Sequence, residues 1–305
     1  MAGLFLSLIF IINTQENLGT AGYLFLRINT DARSAAMATT GIANDFSQPQ
    51  NSFDFLSNPA SLTKTSKIGI SYLNYIAQVQ IGSVTYHRSL PQIFFNSVGI
   101  GIVYLNSGRI KKTDEYGNEL GTFTVSYLNS TFSLSKEIIP EKLLSGVNVK
   151  FLMGSIDSFL SLGLAGDIGL RYLLPVKGLS AGLIVKNIGR ELKGFTNNSD
   201  PLPWNLGVGV NYRLSSQAGF TVELHKPHDK TFQFNLGAEG WVNNYVALRL
   251  GYSSLGRYYK VNSSDLLSGF SWGLGVNYQK YKFDYSYTPM AILGHSHTFT
   301  FSFYY

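Results

Sequence analysis

Residues 296–305 read Ser-His-Thr-Phe-Thr-Phe-Ser-Phe-Tyr-Tyr, and the alternation in this stretch decides the fold. In an extended chain Phe299, Phe301, Phe303 and Tyr305 point to one face, while Thr298, Thr300, Ser302 and Tyr304 point to the other. A soluble sheet must cover such an aromatic face with a second layer, and its last strand leaves an edge open to aggregation. A transmembrane barrel meets both demands. Lipid takes the aromatic face, the lumen takes the hydroxyls, and this barrel-closing strand pairs with the first.

The composition agrees. Charged residues make up 14% of the 305, against about 25% in typical soluble domains, while aromatics reach 14% and glycines number 31. Mean hydropathy is only +0.05, and beyond the N-terminus no apolar run approaches the ~20 residues of a spanning helix. A helical membrane protein is thereby excluded. With no cysteine there is no disulfide framework, thiolate metal site, cysteine nucleophile or lipid-bearing thiol. The net charge of +6, without a Lys/Arg cluster, makes no case for nucleic acid and suits a barrel whose surroundings are outer-membrane lipid.

Leu4 to Ile12 is an apolar run of signal-peptide length, followed by polar Asn13 to Asn17 and small Gly19, Thr20 and Ala21. No Lys or Arg precedes it; the expectation is nevertheless an export signal over residues 1–21, the competing reading being a buried strand. Residues 22–66 lack strand alternation and are too few for an independent domain, so they are read as a plug inside the barrel. Asp31 is placed to cap a short helix through Met37 with Gly41 past its end, and Asn51 or Ser52 to open a second over Phe53 to Leu56, closed by Asn58-Pro59. On this reading Arg33 pairs within the plug. Leu24, Phe25 and Leu26, with Phe53, Phe55 and Leu56, would line an apolar pocket there.

From Lys67 to Tyr305 the chain is a series of alternating runs, clearest at Phe270 to Gln279. About fourteen are expected, starting near Lys67, Val79, Asn96, Thr122, Ser145, Ser161 and Gly178, then Leu202, Gln217, Lys230, Asn244, Leu267, Tyr281 and Ser296. The phase is poor in the second run and slips at Tyr127-Leu128 in the fourth, both read as bulges. The fold class is therefore all-β: a transmembrane antiparallel β-barrel of about fourteen strands with an N-terminal plug. Charge phase supports it, since Lys150, Asp167, Arg171, Lys186, Arg213, Glu223, Glu239, Arg249, Lys282 and Asp284 all fall on the polar faces. A Lys or Arg on the lipid face near the midplane would cost about 2–4 kcal/mol. Loop lengths support it too, with long connections at one end and short ones at the other; Ser135 to Leu144 is the exception, long on the short side.

The N-terminal motifs carry a resemblance. Tyr23-Leu24-Phe25-Leu26, then Asp31-Ala32-Arg33-Ser34-Ala35-Ala36-Met37, Gly41-Ile42-Ala43 and Asn58-Pro59-Ala60-Ser61-Leu62 resemble the signature of the PorV/PorQ family of outer-membrane proteins. That family is similar in fold to FadL-type fatty-acid transporters, whose plug also carries an Asn-Pro-Ala element. Residues 296–305 likewise resemble the C-terminal signal strand of bacterial outer-membrane proteins. The resemblance implies the Gram-negative outer membrane. It also implies a part in type IX secretion, binding exported cargo, the secretion channel or a surface-modifying enzyme through the plug and outer loops.

Catalytic signals are weak. Gly99-Ile100-Gly101 mimics the start of a dinucleotide loop, but no helix follows. His225, His228, His295 and His297 are read as belonging to exposed loops, two per loop and without a third metal ligand. The lumen carboxylates are accounted for by ion pairs. No enzyme, cofactor or metal is expected. Arg109, Lys111, Lys112, Asp114 and Glu115 make a charged, mobile loop, and Arg257, Tyr258, Tyr259 and Lys260 a basic aromatic one suited to a protein partner. Two readings compete with secretion: a FadL-like transporter of hydrophobic small molecules, and a structural surface barrel. Transport requires an apolar pocket and a side opening, for which the second run is the candidate, and the Gly, Ser, Asn and charged lumen faces argue against it.

Overall fold

The ring closes where the aromatic alternation predicts. In a computed structural model describing residues 19–44, 51–61, 65–90, 94–196, 198–260 and 265–305, β16 (His295–Tyr304) pairs antiparallel with β1 (Lys67–Asn74). The pairs run from Lys67 opposite Tyr304 to Asn74 opposite His297. Phe299 and Phe301 face outward, while Thr300 and Ser302 are buried toward the lumen. The other strands follow in chain order: β2 (Gln80–Ser89), β3 (Ser97–Asn106), β4 (Ile110–Thr113), β5 (Glu119–Phe123), β6 (Val125–Ile139), β7 (Leu143–Ile156) and β8 (Phe159–Leu173). Then come β9 (Leu179–Lys193), β10 (Asn205–Arg213), β11 (Ala218–Pro227), β12 (Gln233–Trp241), β13 (Val246–Ser253), β14 (Phe270–Tyr278) and β15 (Tyr281–Pro289). Fourteen of them form one closed antiparallel barrel, and β4 and β5 form a separate hairpin. Each barrel strand begins within three residues of the start expected from alternation.

Four expectations are corrected. The second and fourth runs carry no bulge at the anticipated places: β2 stays in register with β1 and β3 throughout, and β6 with β3 from Ser126 to Ser135. The apparent slips arise because Ile81 and Tyr127 are apolar residues that point inward. The interruptions fall elsewhere, between Glu137 and Ile139 of β6 and at Leu162/Gly163 and Gly166/Ile168 of β8. Ser135 to Leu144 is no long loop, because β6 runs to Ile139 and β7 starts at Leu143. The charged stretch after β3 is an ordered hairpin: Lys111 pairs with Glu119, Lys112 pairs with Asp157 at 2.7 Å, and Asp114 accepts the backbone N–H groups of Tyr116 and Asn118.

The charges predicted for the polar faces do point inward. Lys150, Asp167, Arg171, Glu223, Glu239, Arg249, Lys282 and Asp284 are all buried, while Lys186 and Arg213 are half-buried and line cavities inside the barrel. Phe299→Arg, which reverses this rule at the middle of β16, is expected to cost about 2–4 kcal/mol of stability, read as a lower urea midpoint in lipid vesicles.

The N-terminal residues fold into two short helices, α1 (Ala32–Ala36) and α2 (Asp54–Ser57). Asp31 caps α1 as its sequence position suggests, accepting from the N–H groups of Arg33 and Ser34. The helix ends before Met37, and the turn is made by Ala38 and Thr39 at φ of 55° and 64° instead of by Gly41. Gly41 sits further on against α2, where a methyl group would meet Ser57 Cβ at 2.8 Å. Phe53, not Asn51 or Ser52, stands at the start of α2, and no side chain caps it. Residues 1–18 of the export signal expected over residues 1–21, and Leu62 of the Asn-Pro-Ala motif, lie outside the described residues.

Candidate functional site

At the end of the barrel bearing the β4–β5 hairpin, the inward side chains stop being hydroxyls. Leu73 of β1, Ile81 of β2, Val103 and Leu105 of β3 and Leu152 of β7 are buried there. Register makes them neighbours, with Leu73 opposite Ile81, Ile81 opposite Leu105, and Leu105 opposite Tyr127. Apolar side chains facing a wet lumen are unfavourable, so they need an apolar partner. The N-terminal segment supplies it. Phe25 stacks on Tyr127 with ring centroids 5.0 Å apart, Tyr23 meets Tyr127 edge-on at 5.7 Å, and the Tyr23 hydroxyl hydrogen-bonds Ser161 Oγ at 2.7 Å. Leu26, Ile28 and Leu56 pack against the same cluster.

Between the wall and this segment lies a cavity of about 990 Å³. Its apolar side includes Phe25, Leu26, Leu56, Leu73, Val103 and Leu105; its polar side includes Lys150, Lys186, Asn187, Asn205 and His225. The polar side is built by a bulge in β9. Gly166 faces Ile188 while Ile168 faces Val185, so Lys186 and Asn187 together oppose Asp167, and Asn187 takes a φ of 58°. Asp167 Oδ1 accepts from Lys150 Nζ and from the Asn187 N–H, each at 2.8 Å. Lys186 Nζ donates to the Leu56 carbonyl at 2.9 Å, and Asn148 Nδ2 donates to the Phe55 carbonyl at 3.0 Å.

Further contacts fix the segment. Glu223 Oε1 accepts the N–H groups of Gly41 and Ile42, both at 2.7 Å, while its Oε2 lies 3.1 Å from His225 Nε2. At the loop end Arg27 Nη1 donates to Asp229 Oδ2 at 3.0 Å. Burial would raise the Asp229 carboxyl, but the hydrogen bonds and charge of Arg27 outweigh it and hold the group below its usual range. In the β1–β2 turn, burial pushes the Tyr75 phenol up to about 12. Across the lumen, Glu239 accepts from Arg33 at 2.9 and 3.0 Å and from Arg249 Nε at 2.6 Å, and Arg249 lies 2.8 Å from Asp284. The Ala32 N–H donates to Thr300 Oγ1 at 2.9 Å, and the Ala38 N–H to Ser271 Oγ at 3.1 Å.

The predicted residues thus separate into groups. Leu24, Phe25, Leu26, Phe53 and Leu56 all reach the cavity, whereas Phe55 does not. Asp31 lines its floor, Arg33 pairs with the barrel wall instead of within its own segment, and buried Met37 packs against Gly237 and Gly251. Asn58 Nδ2 donates to the Ile42 and Leu170 carbonyls, and Pro59 fits against Gly146, where a methyl group would lie 2.3 Å from the Pro59 carbonyl carbon. Phe299, Phe301 and Phe303 lie on the wall's outer face, and Tyr305 follows the end of β16. Three of the four histidines depart from their predicted loops: His225 lies on β11 facing the cavity, and His295 and His297 lie on β16, the latter with Nδ1 2.8 Å from the Tyr285 hydroxyl, while His228 stays in the turn after β11. Both strands continue further toward the loop end than their apolar alternation. Of the basic aromatic loop, Arg257 rests on the Tyr258 ring, 4.8 Å from its centroid. The apolar lumen residues Leu73, Ile81, Val103, Leu105 and Tyr127 were not anticipated as site residues. Their signal is the same loss of alternation that resembles a bulge.

No family model and no curated protein matches the chain. Among solved structures it is similar to the Pseudomonas putida toluene transporter TodX, with a TM-score of 0.61 at 12% identity over 96% of this chain and 98% of that one. It is also similar to the CymD monoaromatic hydrocarbon channel, with a TM-score of 0.56 at 11% identity over 90% of this chain and 96% of that one. At such identities the likeness is one of fold: the chain is a closed fourteen-stranded barrel of the outer-membrane type.

Proposed function

We propose that the protein is an outer-membrane transporter of hydrophobic small molecules, held in the cavity between β1–β3 and the N-terminal segment. The observation that carries this is the group of inward apolar residues, Leu73, Ile81, Val103, Leu105, Tyr127 and Leu152, in a lumen lined elsewhere mainly by hydroxyls, amides, glycines and charges. A cavity of about 990 Å³ with one apolar and one polar side has the size and chemistry of a small-molecule site. The lumen is therefore not uniformly polar, which removes the objection raised by the sequence. Residues 22–66 serve as the plug on this reading, with α1 and α2 filling the barrel below the cavity. The side opening is assigned to β9–β10: pairing there ends at Lys186 with Asn205, while β9 continues to Lys193, with a single bridge from Arg190 to Pro201. Likeness to TodX and CymD favours transport over secretion.

Secretion in the manner of the PorV/PorQ family is the second reading, and the β4–β5 hairpin favours it, since exposed Tyr116, Leu120 and Ile110 offer a contact surface for cargo. The test is purification from detergent-solubilised outer membranes with mass spectrometry of extracted lipids and bound proteins. An apolar small molecule at about one per barrel, lost in Leu105→Arg, is expected. A stoichiometric exported protein without a small molecule would overturn transport and support secretion.

A further inference from the structure

Five buried polar atoms on two strands find no hydrogen-bonding partner among the described residues: Ser83 Oγ, Thr85 Oγ1 and His87 Nε2 of β2, and Ser133 Oγ and Ser135 Oγ of β6. They form one strip. Thr85 lies opposite Gly101, which lies opposite Thr131; His87 lies opposite Gly99, which lies opposite Ser133; and Ser97 pairs with Ser135 at the turn end. The intervening β3 thus presents only glycines at two successive inward positions, leaving a recess floored by backbone and flanked by hydroxyls. One step above, Val103 and Asn129 line the cavity, so the strip leads from the cavity to the far end of the barrel.

Apolar side chains cover this polar recess. A methyl group on Gly101 would lie 3.1 Å from Leu56 Cδ2 and 3.3 Å from Phe55 Cζ. Phe55 is buried and absent from the cavity lining, so it stands below the cavity floor at the level of Thr85 and Thr131. Hydroxyls covered by a phenyl ring forgo the bonds they make with water, and the covered arrangement is unfavourable for that reason. Elsewhere the N-terminal segment bonds directly to lumen side chains, α1 and the turn after it reaching Thr300 of β16, Ser271 of β14 and Glu239 of β12.

We propose that the β2–β3–β6 wall is a second, hydrophilic route through the barrel, taking water and small hydrated solutes, and that Phe55 is its gate. Displacing the ring lets water reach the hydroxyl strip while α1 stays anchored. This route is distinct from the apolar cavity and does not depend on hydrophobic transport.

The chain has no cysteine, so single-cysteine variants report without background. Thr85→Cys and Ser133→Cys, with Thr221→Cys of β11 on the far side of the ring as reference, are reconstituted as full chains and treated with a small cationic methanethiosulfonate. Adding Phe55→Ala is expected to speed modification at the first two positions by about tenfold, to leave Thr221→Cys unchanged, and to raise conductance in potassium chloride across a planar bilayer. If Phe55→Ala yields no heat-modifiable barrel, Phe55→Leu, which retains bulk without the ring, is expected to give the same ordering. Unchanged rates at Thr85→Cys and Ser133→Cys, or equal acceleration at Thr221→Cys, overturn the gate. A ligand-free barrel that passes this test would refute the transport reading alone.

Discussion

Glu239→Leu is expected to destabilise the barrel by about 3–5 kcal/mol, the largest effect of any single substitution considered. Glu239 is the acceptor shared by two buried guanidinium groups, Arg33 from α1 and Arg249 from β13. Removing it leaves both cations out of water with Asp284 the remaining carboxylate beside Arg249. Arg33→Leu should cost less, because Glu239 keeps its 2.6 Å contact with Arg249. Urea titration in vesicles measures the difference, and protease cleavage at Arg33 tells whether α1 has left the wall. Equal losses for the two variants would mean that the network acts through Arg33 alone.

Phe25→Ala is the second. Truncating a packed phenylalanine costs about 3–5 kcal/mol in a closed core, and the lower end is expected here because the ring also borders the cavity. The loss includes the stacked contact with Tyr127 and the lid over Leu105. Binding of the apolar fluorophore N-phenyl-1-naphthylamine should weaken by about tenfold or more, whereas Phe234→Ala on the outer wall should leave it unchanged. Binding unaffected by Phe25→Ala would place the apolar ligand outside this cavity.

The barrel was legible because its evidence is local. In β14 Phe270, Trp272, Leu274 and Val276 face lipid while Ser271, Gly273 and Gly275 face the lumen, and the contrast names the faces without help. The cavity was not legible for the same reason. At Tyr72-Leu73, Tyr104-Leu105 and Tyr127-Leu128 both faces are apolar, so alternation loses its contrast where one residue meets lipid and the next meets Phe25 or its neighbours. A run that looks out of phase can therefore mark an apolar lumen as well as a bulge. The true bulge had its own signal in the adjacent polar pair Lys186-Asn187. Asp31 could be read as a cap because its partners are two and three residues away. Arg33 could not be matched to Glu239, since 206 positions separate them and the sheet alone brings them together.

The pairing of β1 with β16 also sets an order of assembly. Ala32 donates to Thr300 across 268 positions, so α1 cannot complete its contacts until the last strand of the sheet has docked. While the sheet is still open, the β1 edge is unpaired and the lumen is reachable from that side; once β16 zips on, the ring of fourteen strands is closed. Anchoring of α1 and closure of the ring are therefore tied to one event, the docking of β16. Delay in docking the last strand would delay the anchoring of α1 as well as the closing of the cylinder.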